Sequence, residues 1–346
     1  LNTFALKKRE NSSAKITAIT GSAGKTSLKN LIRDLLKNFG ETISSPKSYN
    51  NHFGVPISLS NLKPNHKYGI FEVGMSKKGE INALTKLIKP DIGIITNIGE
   101  AHIENFKNLK GIANAKSEII NNLKDNGTII LNRDDKYFNY LNKKAKSKNL
   151  KVISFGMNKK SDVYPLKILK RGKNNHMVFK ISNEILRLEF NNINIYNILA
   201  SLSFLNELKL DLNKVIKYFK TYEASEGRGK IYKIKRHQIK FKLVDESYNA
   251  NPLSVKNAIQ NFSLIKKRNF KKYLLLGDML ELGAKSEYFH KNLSKVINNS
   301  DIDKVFIKGS KSLITYKNLT KIKRGNILQQ DEDVDFILND IIANND

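Results

Sequence analysis

A chain of 346 residues with 40% hydrophobic and 27% charged residues is long enough for two domains, and its composition is globular, which argues against a disordered chain. The absence of cysteine excludes disulfides and thiolate metal sites, and no apolar run reaches the ~20 residues that span a bilayer, so a cytoplasmic protein without a membrane span is expected. The formal net charge of +29 would suit a nucleic-acid surface, but the lysines are scattered and none of them forms a basic block with stacking aromatic residues, so no nucleic-acid partner is expected.

The first informative stretch is a predicted strand that runs into a glycine turn and then into a predicted helix. Residues 16–27 read ITAITGSAGKTS, and leucine and isoleucine then recur at helical spacing. Small residues in such a turn let backbone N–H groups face an anion, while Lys25 can reach the outer phosphates of a nucleotide and Thr26 can hold Mg²⁺. Ile19 stands where the common GxxxxGK[ST] pattern has its first glycine, so the loop is the shorter TGSxGKT form. Nucleotide binding is therefore predicted here, with a plain strand-to-helix connection as the alternative. The predicted nucleotide-binding residues are Gly21, Ser22, Ala23, Gly24, Lys25, Thr26 and Ser27.

Strands and helices are predicted to alternate up to about residue 131. The predicted strands are residues 41–45, 68–73, 91–96 and 127–131. The predicted helices are residues 80–88 and 109–123, and residues 48–56 are predicted to form a turn-rich loop. Alternation of this kind is typical of parallel βαβ units, in which binding residues gather at the carboxyl ends of the strands. Glu72, Asn97 and the glycine turn all lie at such ends.

After residue 162 the apolar period changes to short alternating stretches, which predict an antiparallel meander. The meander strands are residues 163–169, 176–181 and 185–190, and helices are predicted at residues 194–208 and 212–219. The charged, glycine-containing segment 223–229 is a predicted linker. A second alternating unit follows, with strands at residues 240–245, 272–277, 304–308 and 327–330 and helices at residues 254–265, 287–297 and 334–342.

These patterns predict an α/β fold with two domains. Residues 1–226 would form a central P-loop-type domain with a mostly parallel sheet and a small antiparallel extension. Residues 227–346 would form a Rossmann-like domain, which stops directly after a helix.

Four stretches carry polar side chains that suit one chemical site. FEVGM at 71–75 ends a buried strand in a carboxylate, TNIGEAH at 96–102 supplies Asn and His, and AKSE at 115–118 lies early in a helix. DESYNANP at 245–252 follows the first strand of the second domain.

Single residues in these stretches also have structural alternatives. The apolar neighbours of Glu72 make an unpaired charge costly, which favours a metal over a lysine partner. Taken alone, His102 would more often be structural than a ligand, and Lys116 is one of very many lysines. His290 is interpreted as structural or solvent-facing; the alternative is that it approaches the site, because it follows the GDM sequence at residues 277–279.

In this order along essentially the whole chain, the motifs resemble those of the Mur ligases, the ATP-dependent amide-bond-forming family of peptidoglycan synthesis. YNANP at 248–252 and LGDMLELG at 276–283, with NN and GVP at 50–56, resemble the members that join D-alanyl-D-alanine to a UDP-N-acetylmuramoyl-tripeptide. Both of these substrates are therefore expected partners. A monomer is expected.

The resemblance implies a role for each matching residue. Catalytic roles are implied for Lys25, Lys116 and His102. Two Mg²⁺ ions would be held by Thr26, Glu72, His102 and Lys116, the last as a carbamate. ATP would be bound by the glycine turn together with Asn194, Asn197, Arg228 and Asp245, although Ile193 stands where the family often has a histidine. The other substrates would lie near Asn50, Asn51, Tyr248, Asn249, Asn251, Asp278 and Glu281.

The implied chemistry is consistent with these residue types. Joining a carboxylate to an amine in water needs activation, and transfer of the γ-phosphoryl group supplies it as an acyl phosphate without a covalent protein nucleophile. Members of the family usually carry a separate N-terminal domain that holds the UDP part of the substrate. The resemblance implies that this domain and the last strand and helix are absent, so we expect binding of ATP·Mg²⁺ but weak binding of the UDP-linked peptide.

Two further classes of function stay open from the sequence. One is a different Mur-type amino-acid ligase or a folylpolyglutamate synthetase-like enzyme, which should lack the YNANP and GDMLELG motifs. The other is a non-catalytic ATP-binding protein or a basic nucleic-acid-binding protein, for which the lysines would have to cluster on one face.

Overall fold

The computed structural model describes residues 1–171, 174–191, 193–236, 239–263, 265 and 270–343. They form two compact units, the first of residues 1–99 and 108–224 and the second of residues 100–107 together with those from 225 onward. Within these ranges no helix is both long enough and apolar enough to cross a membrane.

The first unit is built on a sheet of nine strands. They are β1 (Lys15–Thr20), β2 (Thr42–Ser44), β3 (Tyr68–Glu72), β4 (Ile92–Ile95), β5 (Thr128–Asn132), β6 (Lys151–Phe155), β7 (Val163–Arg171), β8 (Asn174–Ile181) and β9 (Glu184–Phe190). Their order in the sheet is β2-β3-β1-β4-β5-β6-β7-β8-β9. Strands β1 to β6 pair in parallel, and β7 to β9 form an antiparallel meander that continues the same sheet beyond β6. The predicted mostly parallel sheet with an antiparallel extension is confirmed.

Nine described helices cover this sheet. They are α1 (Asn2–Glu10), α2 (Lys25–Leu36), α3 (Gly54–Ser60), α4 (Glu80–Ile88), α5 (Leu109–Lys116), α6 (Phe138–Lys146), α7 (Ile195–Glu207), α8 (Asn213–Ile216) and α9 (Tyr218–Thr221). The apolar stripe that the sequence places on α2 is fully buried and packs with residues of α7 and the strands in one core. Because α2 starts directly after the glycine turn, this burial fixes the position of the turn at the edge of the sheet.

The second unit contains two small sheets. Strands β10 (Lys230–Arg236) and β11 (Ile239–Asp245) form an antiparallel hairpin, and β12 (Tyr273–Leu276), β13 (Lys304–Lys308) and β14 (Arg324–Leu328) form a parallel sheet. The accompanying helices are α10 (Pro252–Ser263), α11 (Ser286–Asn298), α12 (Ser312–Lys317) and α13 (Val334–Ala343). The alternation of parallel strands and helices confirms the Rossmann-like pattern for the sheet of β12 to β14.

Several predicted elements differ from the structure. Residues 240–245 do not join the parallel sheet but pair with β10, because both segments alternate lysine with apolar residues and only two residues separate them. The predicted helix 109–123 ends as an α-helix at Lys116 and continues as a 3₁₀ turn, Ser117–Asn122. The predicted helix 212–219 is divided into α8 and α9, and α3 starts inside the predicted loop 48–56. The other described α-helices and strands that the sequence did not predict are α1, α6, α12, β6 and β10.

The buried guanidinium of Arg9 ties α1 to the loop that leads into β4. It donates hydrogen bonds to the carbonyl oxygens of Ile88 (2.8 Å) and Lys89 (2.9 Å) at the end of α4. The carboxylate of Asp91 lies 3.5 Å away and also accepts a hydrogen bond from the N–H of Ile16 in β1 (2.8 Å). Arg9 therefore helps to hold the two neighbouring strands whose carboxyl ends carry the glycine turn and Asn97.

We predict that R9M lowers the free energy of unfolding by about 2–3 kcal/mol, because the buried carbonyl group of Ile88 and the partly buried one of Lys89 lose a charged donor. Urea denaturation measures the change. The matched control is K7M on the same helix, where the lysine is exposed and a negligible loss is expected. A loss for R9M no larger than that for K7M would contradict the anchoring role.

Candidate functional site

The glycine turn between β1 and α2 adopts a backbone that only glycine tolerates well. Gly21 has φ +148° and Gly24 has φ +82°, in the region where other residues are strained. A β carbon on Gly21 would lie 1.9 Å from Oγ1 of Thr96, whose hydroxyl donates to the carbonyl oxygen of Ala23 (2.7 Å). The turn therefore lies in close contact with the end of β4, and it connects directly to the amino end of α2. This is the arrangement that a phosphate-binding loop requires.

Asn97, which the sequence placed in a candidate stretch without giving it a role, holds the glycine turn. Its Oδ1 accepts from the N–H of Ala23 (2.8 Å) and its Nδ2 donates to the carbonyl oxygen of Ala23 (3.1 Å). Its own carbonyl oxygen accepts from the N–H of Ser22 (3.0 Å). The sequence predicts its place at the carboxyl end of β4, but not its contact with the turn.

Two lysines meet at one backbone oxygen of the turn. The ammonium groups of Lys25 and Lys116 both donate to the carbonyl oxygen of Gly21, at 2.9 and 3.1 Å. Burial, and then the positive charge of Lys25, hold the pKa of Lys116 well below its ordinary value. A lysine with a lowered pKa has a larger neutral fraction, and the neutral amine is the form that can react with an electrophile such as carbon dioxide.

A buried carboxylate lies beside the first turn of α2. Glu72, at the end of β3, is 1% exposed. Its Oε2 accepts from the hydroxyl of Thr26 (2.7 Å) and its Oε1 from the amide of Asn50 (2.8 Å). The Thr26 hydroxyl is also 3.3 Å from that of Ser48. Both hydrogen bonds to the Glu72 carboxylate come from neutral groups, so the buried negative charge suits a cation next to Thr26.

The donor set around Thr26 and Glu72 fits Mg²⁺ in particular. Among the residues that the structure describes, no group of three or more His, Asp or Glu side chains is placed to hold a metal ion. Mg²⁺ typically uses one or two protein carboxylates and completes its shell with phosphate oxygens and water. A site of one carboxylate and one hydroxyl beside a phosphate-binding loop agrees with that preference.

His102 lies in the second compact unit and pairs there with a predicted substrate residue. Its backbone is left-handed, with φ +57°, and its Nδ1 contacts the carboxylate of Glu281, which itself has φ +59°. The N–H of Glu104 donates to the carbonyl oxygen of Glu281 (3.3 Å). Of the predicted metal ligands, Thr26 and Glu72 are thus in contact, whereas the contact found for His102 is with Glu281.

Asn194 and Asn197, the predicted nucleotide-binding asparagines, lie at the start of α7. Asn194 caps the helix, since its side chain accepts from the N–H of Tyr196 (2.9 Å). Asn197 is buried against the glycine turn, and its Oδ1 is 3.2 Å from the position of a β carbon on Gly24. The Tyr196 hydroxyl donates to Asp134 (3.1 Å), and burial, with Asp134 next, raises the Tyr196 pKa to about 12. Tyr196 is therefore a neutral donor near neutral pH.

In the second unit, Asp245 organises the predicted linker. Its carboxylate accepts from the hydroxyl of Ser247 (2.6 Å) and from the N–H of Gly227 (2.8 Å). The Ser247 hydrogen bond is the main reason that the pKa of Asp245 is below its ordinary value. The guanidinium of Arg228 stacks 4.1 Å above the ring of Tyr248, which is 53% exposed. The structure thus brings Arg228, from the turn before β10, together with Asp245 at the end of β11 and Tyr248 in the turn that follows β11.

Three other predicted substrate residues make backbone contacts that shape loops. Asn51 accepts from the N–H of Gly54 (2.9 Å) at the start of α3, and Asn251 accepts from the N–H of Ser254 (2.9 Å) in α10. Asp278 accepts from the N–H groups of Lys311 (3.0 Å) and Ser312 (2.7 Å). Burial opposes it, but these hydrogen bonds keep the Asp278 pKa below its usual value. Asn249 is exposed.

The structural interpretation of His290 is supported. The side chain is fully buried; its Nε2 accepts from the N–H of Met279 (3.2 Å) and its Nδ1 donates to the carbonyl oxygen of Ser286 (2.8 Å). Because an N–H can only donate and a carbonyl oxygen can only accept, these partners select one neutral tautomer. His290 thereby fixes the loop that carries Asp278 and Glu281.

The sequence of this chain is similar to the sequences of known proteins. Residues 19–205 match the family model described as the Mur ligase middle domain. A UDP-N-acetylmuramoyl-tripeptide–D-alanyl-D-alanine ligase of Buchnera aphidicola is 37% identical over 320 residues, which cover 91% of this chain and 68% of that protein. The protein of the same name in Escherichia coli is 31% identical over 308 residues, which cover 88% of this chain and 66% of the relative.

Solved structures show the same likeness. MurF from Acinetobacter baumannii has a TM-score of 0.89 at 26% identity, with 99% of this chain and 74% of that chain covered. MurF from Thermotoga maritima in complex with ADP has a TM-score of 0.84 at 25% identity, with 99% and 76% covered. The similarity thus extends across both compact units.

The close fit of Gly24 against Asn197 leads to a prediction on stability. G24A should lower the free energy of unfolding by about 1–2 kcal/mol, because alanine is strained in this left-handed backbone. A further loss should come from the displacement of Asn197. The matched control is G79A, because Gly79 has φ +92° but nothing within 4 Å of an added β carbon. Thermal denaturation should show a larger loss for G24A than for G79A, and the excess should vanish in an N197A background. Equal losses in the wild-type background would contradict the contact.

Proposed function

Because the chain belongs to the Mur ligase family, we propose that it is the ATP-dependent ligase that joins D-alanyl-D-alanine to UDP-N-acetylmuramoyl-tripeptide in peptidoglycan precursor synthesis. The observation that carries this assignment is the 37% identity over 91% of the chain to a ligase of that name. The phosphate-binding turn, with a buried carboxylate beside it, gives the assignment a chemical basis in this chain. The products would be the extended peptide, ADP and phosphate.

The reaction has two steps, because the carboxylate of the tripeptide must be activated before the amine can attack it. The terminal carboxylate of the tripeptide attacks the γ-phosphorus of ATP, an acyl–oxygen–phosphorus bond forms, and the bond from the γ-phosphorus to the β-phosphate oxygen breaks to release ADP. The amine of D-alanyl-D-alanine then attacks the acyl carbon, loses a proton, and the tetrahedral intermediate expels phosphate. The protein mainly positions reactants and neutralises charge, so no covalent nucleophile of the chain is needed.

We assign the phosphate contacts to the first unit. Because the N–H groups of Ser22 and Ala23 are bound by Asn97, the N–H groups at the amino end of α2 would receive the β- and γ-phosphates. Lys25 would neutralise charge on the γ-phosphate. Thr26 and Glu72 would hold Mg²⁺, which when bound withdraws charge from the transferred phosphoryl group. Lys116, as a carbamate, and His102 stay predictions for a second ion. The neutral form favoured by the low pKa of Lys116 supports the carbamate.

The second unit is proposed to contribute the remaining substrate contacts. Arg228 and Asp245 would bind the nucleotide, and the exposed ring of Tyr248 would face a substrate. Asn50 in the first unit is proposed to act through Glu72 rather than on substrate, because its amide is bound to that carboxylate. The other proposed substrate residues are Asn51, Asn249, Asn251, Asp278 and Glu281. A cytoplasmic monomer is proposed as well; the absence of cysteine fits a reducing compartment.

Substrate-dependent phosphate release tests the assignment. With ATP, Mg²⁺ and the UDP-linked tripeptide present, we predict release with D-alanyl-D-alanine and only background release with D-glutamate, L-lysine or diaminopimelate. Release with one of the single amino acids instead would assign the chain to a different Mur-type ligase. Release with none of the four at saturating UDP-linked tripeptide would contradict the assignment to D-alanyl-D-alanine.

A second prediction concerns Lys25. K25M should lower turnover by roughly 100-fold or more, because one preorganised charge on the transferred group is lost. The midpoint of thermal unfolding should stay close to that of the wild type. The matched control is K37M at the other end of α2, where the lysine side chain is 66% exposed and turnover should not change. Wild-type turnover by K25M would contradict the role assigned to Lys25 in the reaction.

A further inference from the structure

A fully buried lysine lies one helical turn beyond Thr26 in α2. Lys29 is 0% exposed, which is costly for an ammonium group unless hydrogen-bond acceptors surround it. Its Nζ donates to the carbonyl oxygen of Ser45 (2.6 Å) and to that of Lys47. These acceptors belong to one chain segment, residues 45–50, which connects β2 to the turn before α3.

Segment 45–50 surrounds the Thr26–Glu72 pair. The hydroxyl of Ser45 accepts from the backbone N–H of Glu72 (3.1 Å), and that of Ser48 lies 3.3 Å from the Thr26 hydroxyl. The amide of Asn50 donates to the Glu72 carboxylate (2.8 Å). The segment therefore contacts both side chains that we assign to Mg²⁺, that of Thr26 through Ser48 and that of Glu72 through Asn50.

The two ends of the segment are held by backbone hydrogen bonds. The N–H of Ser45 donates to Ile70 in β3 (3.0 Å), and the N–H of Gly74 donates to the carbonyl oxygen of Asn50 (2.8 Å). The middle includes Lys47, which has φ +44°, a strained value for a residue other than glycine. The ammonium of Lys29 binds this strained position directly. It thus fixes the part of the segment between the two anchored ends.

We propose that Lys29 is a positioning residue for the Mg²⁺ site, acting through segment 45–50; this inference rests on the proposed function. Lysine suits the task because an ammonium has three donors and no acceptor, and can bind several carbonyl oxygens at once. With those donors removed, the segment no longer holds Ser48 and Asn50 against Thr26 and Glu72. The Mg²⁺ concentration needed for nucleotide binding should therefore rise, whereas the nucleotide affinity at saturating Mg²⁺ should change less.

The test uses K29M, which keeps the length of the side chain and removes its donors. ADP binding is measured by calorimetry at increasing Mg²⁺ concentration. The Mg²⁺ concentration that gives half of the maximal increase in ADP affinity should be about tenfold higher than in the wild type, because a residue that orients a metal ligand typically contributes an effect of this size. Hydrogen–deuterium exchange should be faster over residues 45–50 in the same protein. Neither readout depends on turnover.

The matched control is L35A on the same helix, where the leucine is fully buried in the hydrophobic core and its loss creates a cavity. L35A should lower the unfolding midpoint but leave the Mg²⁺ requirement unchanged. K29M with the Mg²⁺ requirement and exchange pattern of L35A would overturn the inference while leaving the proposed function intact. A wild type that binds no ADP with Mg²⁺ would contradict the proposed function and the inference together.

If K29M does not fold, S48A provides the second test. It removes the hydroxyl by which segment 45–50 contacts Thr26 and leaves the lysine at position 29 in place. We expect it to raise the Mg²⁺ requirement several-fold while the unfolding midpoint stays near that of the wild type. An unchanged Mg²⁺ requirement in S48A would overturn the inference, because the proposed connection runs through this segment.

Discussion

The hydrogen bond from Thr26 to Glu72 is the constraint on which the site depends. It joins the first turn of α2 to the end of β3, and it is possible only because β1 and β3 are parallel neighbours with Ile19 opposite Glu72. The glycine turn passes over the end of β4 on its way from β1 to α2, and Gly21 therefore lies directly against Thr96. The buried core beneath α2 keeps these ends fixed, so a phosphate and a cation could bind without reorganisation of the chain.

Much of this arrangement could be predicted from the sequence because its signals are local. The glycine turn, the apolar stripe of α2 and the carboxylate that ends β3 each lie within a few consecutive residues. The contacts of Asn97 and Lys29 could not be predicted in the same way. Asn97 is 74 residues from Ala23 in the chain, and the partners of Lys29 are carbonyl oxygens, which any residue type supplies. The hairpin was missed because β10 was not predicted as a strand and because the pattern of β11 predicts a strand but not its partner.

The second unit shows a different reason why site residues are hard to identify from motifs. The side chains of Asn251 and Asp278 bind backbone N–H groups at the start of helices. Amide and carboxylate oxygens suit helix capping for the same reason that they suit a ligand, since both tasks need an acceptor aimed at a donor. A motif of such residues therefore predicts a shaped loop with more certainty than it predicts the atoms that touch a substrate. Tyr248, with its ring exposed, is a better candidate for direct contact.

The central claim is that Thr26 and Glu72 form the cation site beside the phosphate loop. The most direct measurement is a crystal structure with ADP and Mn²⁺ in place of Mg²⁺, with anomalous data collected at the manganese edge. The account predicts an anomalous peak bound by the hydroxyl of Thr26 and next to the carboxylate of Glu72, with the hydrogen bond between these two side chains broken. A peak bound elsewhere, with Thr26 still donating to Glu72, would contradict it.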